Sequence, residues 1–360
     1  MKHDFVHESR PGRVVFGVGA RTRLPEEIDH LGLNNLMVVC TPEQVDLAAE
    51  LTSPLGDKVA ELYPHATMHV PVAVASKGIA RSREIDADGC IAIGGGSAIG
   101  LAKAIAKDTG LPIIALPTTY AGSEMTTIWG LTDAGRKTTG RDPRVLPVTV
   151  VYDPQLTVTL PPALSVTSGM NALAHSAEAL YAPDCSPITA LMAAESARAI
   201  AGALPRLVAD PRDIDARSDA LYGAWLAGSA LGSTTMSLHH KLCHILGGTF
   251  DLPHAETHTA VLPHVLAVNL PAASTARTAL EAALGTTEPS VHLFHLAQDL
   301  GAEMSLKALG MPEDGLQTVI DQTIAAPYAN PTPVAEADLR HLLGNALLGA
   351  APTTRPGASQ

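Results

Sequence analysis

Cys90–Lys107 reads CIAIGGGSAIGLAKAIAK. A buried-type apolar run, Cys90–Ile93, passes straight into Gly94, Gly95, Gly96 and Ser97, and Leu101, Ala102, Ile105 and Ala106 then recur with the period of a helix. Strand, glycine turn and helix in that order make an anion site. Glycines let the backbone approach a phosphate, and the unpaired amides and dipole of the helix N-terminus face it. The turn is not the G-x-G-x-x-G fingerprint, and a glycine turn that merely closes a strand is the competing reading.

The flanking sequence repeats this alternation. Arg13–Phe16, Asn35–Cys40, Thr67–Val70, Gly89–Ile93, Pro112–Leu116 and Pro147–Asp153 are predicted strands, with helices between them, one running from Pro42 to about Leu51. A βαβ series of this kind builds a parallel sheet covered on both faces. After Asn35–Cys40, where many dinucleotide enzymes hold a ribose with an acid, the chain has Thr41 and Pro42. Beyond Pro154–Pro162 the character changes to Ala- and Leu-rich helices, predicted over Ser165–Tyr181, Pro187–Leu204, Asp213–Leu246 and Thr259–Asn269. The reading is therefore an α/β dinucleotide-binding domain over residues 1–155 and an all-α catalytic domain over 156–360, with the active site in the cleft between them and a frayed tail at Pro352–Gln360.

Composition excludes several classes. The 360 residues carry a net charge of −12 and no Lys/Arg run, which argues against nucleic acid and anionic membranes as partners. No apolar run is long enough to span a bilayer, and the N-terminus lacks the apolar core of a signal peptide. Cys40, Cys90, Cys185 and Cys243 form no paired motif and read as reduced, buried thiols of a cytoplasmic protein.

Ser237–His264, SLHHKLCHILGGTFDLPHAETHTAVLPH, holds His239, His240, His244, His254, His258 and His264, six of the fifteen histidines. His240 and His244 share a helical face. Gly247 and Gly248 are read as the break in that helix, after which the turn Phe250–Pro253 returns His254 toward the same face. A second pair, Asn171 and His175, stands four apart on a helix expected to be capped by Ser165, Thr167 or Ser168. Converging imidazoles make either a transition-metal site or an acid–base and oxyanion site; a run of surface histidines is the bland alternative.

Together these stretches resemble the iron-containing alcohol dehydrogenase superfamily, with its dehydroquinate synthase-like architecture. The resemblance puts the family's metal ligands on Asn171, His175, His240 and His254, and assigns Gly94, Gly95, Gly96 and Ser97 to a pyrophosphate loop. It also assigns Thr118, Thr119 and Ser123 of LPTTYAGSEMTTIWGLT, with Thr41, to the cofactor. Two acids common in the family are replaced, by Asn171 and Gly100. Those departures, Tyr120–Glu124 and HHKLCHILGGTFDLPHAETH look like the maleylacetate reductase branch, whose members reduce the double bond of maleylacetate to 3-oxoadipate with NADH or NADPH. A metal-dependent alcohol or polyol dehydrogenase, and a non-catalytic dinucleotide-binding protein, are the other readings.

Asn is a neutral amide and a poor ligand for a divalent ion, so the resemblance leads to the expectation that the ligand set is vestigial and a metal is not required. His244 and His254 then stabilise the enolate and supply its proton, with His175 and His240 shaping the cavity. A dicarboxylate substrate needs cations or donors, for which Lys241, Asn171 and Tyr328 are the candidates. A one-residue step turns Lys241 about 100° from His240 around the helix, so solvent competes with the site for it; His239 and His258 share that ambiguity. Tyr328 and Asn330 in APYANPTPV compete with a plain Pro-rich turn. A homodimer is expected from the branch.

Overall fold

The computed structural model describes residues 5–7, 12–133 and 136–353; residues 354–360, most of the expected frayed tail, lie outside them. Contacts group the chain into two units. One comprises Ser9–Leu160 with Arg212–Leu221, the other Met1–Glu8, Pro161–Pro211 and Tyr222–Gln360.

The first unit is a six-stranded parallel sheet with helices on both faces. Its elements are β1 (Arg13–Phe16), α1 (Leu24–Leu31), β2 (Leu36–Val39), α2 (Val45–Thr52), β3 (Val59–Tyr63), α3 (Val72–Glu84), β4 (Gly89–Gly94), α4 (Gly96–Thr109), β5 (Ile113–Pro117) and, after a hairpin described below, β8 (Thr149–Tyr152). The strand order is β1-β8-β5-β4-β2-β3. Alternate residues of the central strands serve opposite layers. Val38, Ile91, Ile93, Ile114 and Leu116 pack with Leu24, Ile28, Ala48 and Leu51 of α1 and α2. Met37, Val39, Cys90, Ala92 and Ile113 pack with α3 and α4 through Ala75, Ile99, Leu101 and Ile105. Both faces are covered, which is why these strands read as continuous apolar runs.

The chain leaves β2 outward to β3 but continues from β4 inward to β5. The strand order thus reverses between β2 and β4. Crevices at the carboxyl ends of strands on either side of such a reversal are where open α/β sheets take ligands.

One prediction for this unit fails, and one feature was unforeseen. Thr67–Val70 is a turn, and the third strand is β3. His69 and Val70 have φ of 63° and 46°, a left-handed backbone that is uncommon in a β-branched residue. The conformation is held where the Val70 carbonyl accepts from the Thr132 amide at 3.1 Å and the His69 carbonyl from the Thr132 hydroxyl at 2.9 Å. The sequence reading also lacked an antiparallel hairpin, β6 (Ile128–Asp133) and β7 (Arg136–Arg141), running from Ile128↔Arg141 to Asp133↔Arg136.

The second unit is helical: α5 (Pro162–Leu180), α6 (Pro187–Ala209), α7 (Ile214–Ser233, whose start belongs to the first unit), α8 (Leu238–Phe250), α9 (His254–Asn269), α10 (Ser274–Leu284), α11 (Pro289–Asp299), α12 (Leu316–Ile324) and α13 (Glu336–Leu348). The start of α7 is held in the first unit by fully buried Arg217, which donates to the Tyr120 hydroxyl at 3.1 Å and the Leu160 carbonyl at 3.0 Å. Small residues let the helices approach closely. A Cβ at Gly169 on α5 would stand 2.7 Å from Leu204 of α6.

Three local expectations are corrected here. Helix α5 begins at Pro162 after Pro161, so Ser165, Thr167 and Ser168 lie inside it and cap nothing at its start. The predicted helix Asp213–Leu246 is two helices, α7 and α8. Gly247 and Gly248 do not break α8; it runs through them to Phe250 and stops at Asp251, whose φ is 55°, just before Pro253. Among the described residues no helix is long and apolar enough to cross a membrane.

Candidate active site

In the sheet unit, the end of β4 and the start of α4 bring Gly94, Gly95, Gly96 and Ser97 together, as the sequence predicts. Helix α4 has no side-chain cap, so its first amides are unpaired within the helix and available to an anion. Each glycine does a different job. Gly94 has φ of 142°, and a Cβ there would lie 2.5 Å from Gln44 Oε1. At Gly95 a Cβ would stand 2.8 Å from the Thr119 methyl carbon, whereas at Gly96 it would meet nothing within 4 Å.

Thr118 and Thr119, leaving β5, sit against this turn. The Thr118 amide donates to the Gly94 carbonyl at 3.2 Å, and its hydroxyl accepts from Gln44 Nε2 at 2.9 Å. Gln44 follows β2 and was not foreseen; the sequence reading looked there only for an acid. Thr41 precedes Gln44, and its hydroxyl lowers the pKa of Glu43 together with Glu43's own backbone, the larger cause. Ser123 is fixed differently, its carbonyl accepting from Lys103 of α4 at 2.6 Å. That ammonium is buried and also meets Thr126 and Ile128; burial lowers its pKa to about 7, against a smaller opposing effect of Glu124. Gly100 faces Val70, 2.7 Å from where its Cβ would be, which leaves no room for the Asp that the family often carries there.

The helical unit assembles the histidines. His175 on α5 and His240 on α8 are buried, with His175 Nδ1 3.0 Å from His240 Nε2. Asn171 lies one turn before His175, and its Oδ1 is buried with no hydrogen-bond partner. His244 and His254 are exposed. The ring of His244 is centred 6.1 Å from that of His240, and the ring of His254 is 4.3 Å from that of His258.

His258 is the hub. Its ring centre is 4.9 Å from His240, 4.8 Å from His239 and 6.1 Å from His175. His239 Nε2 and His258 Nδ1 are 3.0 Å apart, and the Cys243 Sγ is 3.6 Å from His239 Nε2. Burial, then the neighbouring histidines, pushes both His239 and His258 well below the usual imidazole pKa, so both rings are neutral near pH 7. Burial, then Glu178, pushes the Cys243 thiol well up.

Glu178 was missed by the sequence reading. It is fully buried on α5, stands 2.5 Å from His240 Nδ1 and accepts from the amides of Ser237, His239 and His240. It is also the only Asp, Glu, Lys or Arg in the nineteen residues of α5, a signal that was available. Of the substrate candidates, Asn171 is buried on α5 one turn before His175. Lys241 is half-buried on α8. Tyr328 packs against the apolar core of this unit, and Asn330 exchanges two hydrogen bonds of 2.8 Å with Asn269; these contacts favour the structural reading of that loop.

Two models of one family match the chain, "Iron-containing alcohol dehydrogenase" over residues 11–154 and "Fe-containing alcohol dehydrogenase family, C-terminal" over 165–347. The chain belongs to the iron-containing alcohol dehydrogenase family. Among its relatives, the maleylacetate reductase of Sphingobium indicum is 53% identical over 97% of this chain and 99% of its own. The crystal structure of maleylacetate reductase from Agrobacterium tumefaciens superposes with a TM-score of 0.94 at 47% identity, covering 97% of this chain and 100% of that one. The structure of an iron-containing alcohol dehydrogenase from Corynebacterium glutamicum gives 0.92 at 44% identity, covering 96% and 97%.

Membership overturns the expectation that no metal is required, because the family is iron-containing and metal-dependent. The donors are present as well. His239, Cys243 and His258 offer nitrogen, sulfur and nitrogen atoms within 4.8 Å of one another. Beside them stand the facing nitrogens of His175 and His240 and, one helical turn before His175, the orphaned Asn171 Oδ1, donors of the kinds that suit divalent iron. The second set fits iron better. Its donors need lose no proton, whereas Cys243 holds its own tightly and a metal would have to displace it. The sequence argument erred in weighing only the missing charge at position 171.

Proposed function

We propose that this enzyme is an NAD(P)H-dependent reductase of the carbon–carbon double bond of maleylacetate, yielding 3-oxoadipate. The observation that carries the reading is the 53% identity to a maleylacetate reductase across nearly the whole chain, with a histidine cluster in place to handle an enolate.

In this reading Gly94–Ser97, with Thr118 and Thr119, hold the pyrophosphate and its neighbours at the α4 N-terminus. Hydride passes from the nicotinamide C4 to the alkene carbon β to the ketone, and negative charge gathers on the ketone oxygen. Asn171, His175, His240 and His254 would hold the family's iron, which when bound would supply a Lewis acid for that oxygen. His244 stands at the exposed end of the cluster and gives a proton to the α-carbon, completing the addition of hydride and proton across the double bond. Neutral His239 and His258 back the cluster without adding charge. Lys241 is the nearest cation in sequence for one substrate carboxylate.

The enzyme works as a homodimer in the cytoplasm. Exposed Phe5, Val6, Ile188 and Leu191 support the first statement, since His7 ties the N-terminal segment to Ser186 at the start of α6 at 3.0 Å and apolar surface of this kind suits a second copy. Sedimentation velocity tests it. The four free thiols support the second.

The deciding assay is NADH oxidation with maleylacetate by protein stripped with EDTA and then reloaded with iron(II), alongside elemental analysis. Turnover that falls on stripping and returns on reloading supports the whole reading. Absence of turnover with maleylacetate in the reloaded protein overturns it.

A further inference from the structure

We infer that Glu178 is a positioning residue for His240: it fixes the ring proton on Nδ1, so that Nε2 is presented as a lone pair toward His175 and the metal position. The inference rests on the metal assignment made above. Glu178 is fully buried and stands one turn beyond His175 on the same helix. Its Oε2 is 2.5 Å from His240 Nδ1 and accepts from the amides of Ser237 at 3.2 Å and His240 at 3.4 Å, while Oε1 accepts from the His239 amide at 2.7 Å.

The three amides belong to the start of α8, a helix with no side-chain cap of its own. Glu178 therefore caps α8 from another helix, its carboxyl oxygens facing the positive end of that helix dipole. Every backbone group aimed at the carboxyl is a donor. The His240 contact is completed in the same sense, by the Nδ1 proton, which leaves Nε2 without one. The same carboxyl thus sets both where α8 begins and which nitrogen of its third residue can ligate. Histidine ligands in metal sites commonly donate their second N–H to such a carboxylate, which fixes the tautomer and raises ligand basicity. A buried acid is costly unless paired, and here each of its contacts serves the histidine helix.

The test begins with the unmodified, metal-free protein. Long-range proton–nitrogen correlation spectra of the histidine rings, with His240 assigned by comparison with His240→Gln, should show Nδ1 protonated and Nε2 bare. Glu178→Gln should lose that preference and bind iron(II), read by competition with a chromogenic chelator, roughly 10- to 100-fold more weakly. NADH affinity should be unchanged, and Glu178→Asp should restore part of the metal affinity. A His240 ring protonated on Nε2 in the unmodified protein overturns the inference, as does Glu178→Gln with full metal affinity and an unaltered tautomer. The first measurement decides even if Glu178→Gln fails to fold. A bare Nε2 in a protein that takes no iron supports the role of Glu178 while removing the metal reading.

Discussion

His175 and His240, 65 residues apart on two helices, meet ring nitrogen to ring nitrogen at 3.0 Å inside the helical unit. One of these two nitrogens donates and the other accepts, and both would face a common cation only once that hydrogen has moved to the far nitrogen of its ring. Asn171 completes the geometry from one turn away with an amide oxygen that has nothing to bind. A neutral amide oxygen in place of a carboxylate would be the weak donor of a metal site here.

Asn171→Asp should therefore raise affinity for iron(II) by roughly tenfold, or about 1.4 kcal/mol. The metal-free variant should be less stable than the parent, by about 1–3 kcal/mol for a buried acid without partners. Chelator competition and urea unfolding with and without iron check both. Equal metal affinity in the two proteins would remove Asn171 from the ligand set.

His244→Ala should lower kcat for maleylacetate roughly 10²-fold if the ring supplies the proton. Metal content should be retained, and stability should change by about 0.5 kcal/mol or less because the side chain is exposed. A loss under threefold would pass the proton to another group.

Gly95 and Gly96 separate packing from ligand approach. Gly95→Ala forces a Cβ into Thr119 and should cost about 1–3 kcal/mol of stability. Gly96→Ala meets open space in the protein, so its stability should match the parent. Its NADH affinity should still fall by roughly tenfold, because the new methyl occupies the approach to the helix amides. Fluorescence titration with NADH reads the second effect, and undiminished binding by Gly96→Ala would mean that phosphate does not sit there.

The sequence made some of this legible for definite reasons. Cys90–Gly94 and Ile113–Pro117 are apolar on both faces because both faces are covered, and such runs between turn signals are hard to misread. Val59–Tyr63 at the sheet edge is only partly buried, so its mixed VAELY gives no strand signal, whereas Thr67–Val70, read as a strand, is a turn whose left-handed residues no local rule anticipates. The i,i+4 pairs Asn171/His175 and His240/His244 were readable because one helix face is a local property. Glu178 stood out only as the single charged residue of α5; its role was hidden because its partners lie about sixty residues away at the start of another helix. Gly247 and Gly248 misled because glycine marks a helix end only where the backbone needs a positive φ, and here Asp251 takes that conformation.

His264 gives the protein a measurable dependence on acid. Both of its ring nitrogens are buried without a partner. Its pKa is pushed down to about 4, by burial first and then by His341. The unfolded chain takes up this proton near pH 6.5 and the folded one only near 4, so the unfolded state holds more protons between those values. Stability is then complete above about pH 6.5 and falls as the pH drops toward 4, by about 3 kcal/mol for this group. His239 and His258, depressed by the same cause, act in the same sense. The metal-free protein should therefore unfold at a lower urea concentration at pH 5 than at pH 7.5, with EDTA present at both so that metal release contributes nothing. His264→Phe, beside Phe294 with ring centres 6.3 Å apart in the parent, should flatten part of that difference. An identical pH slope in the variant would mean that His264 finds a proton acceptor in the folded state and that the acid sensitivity arises elsewhere.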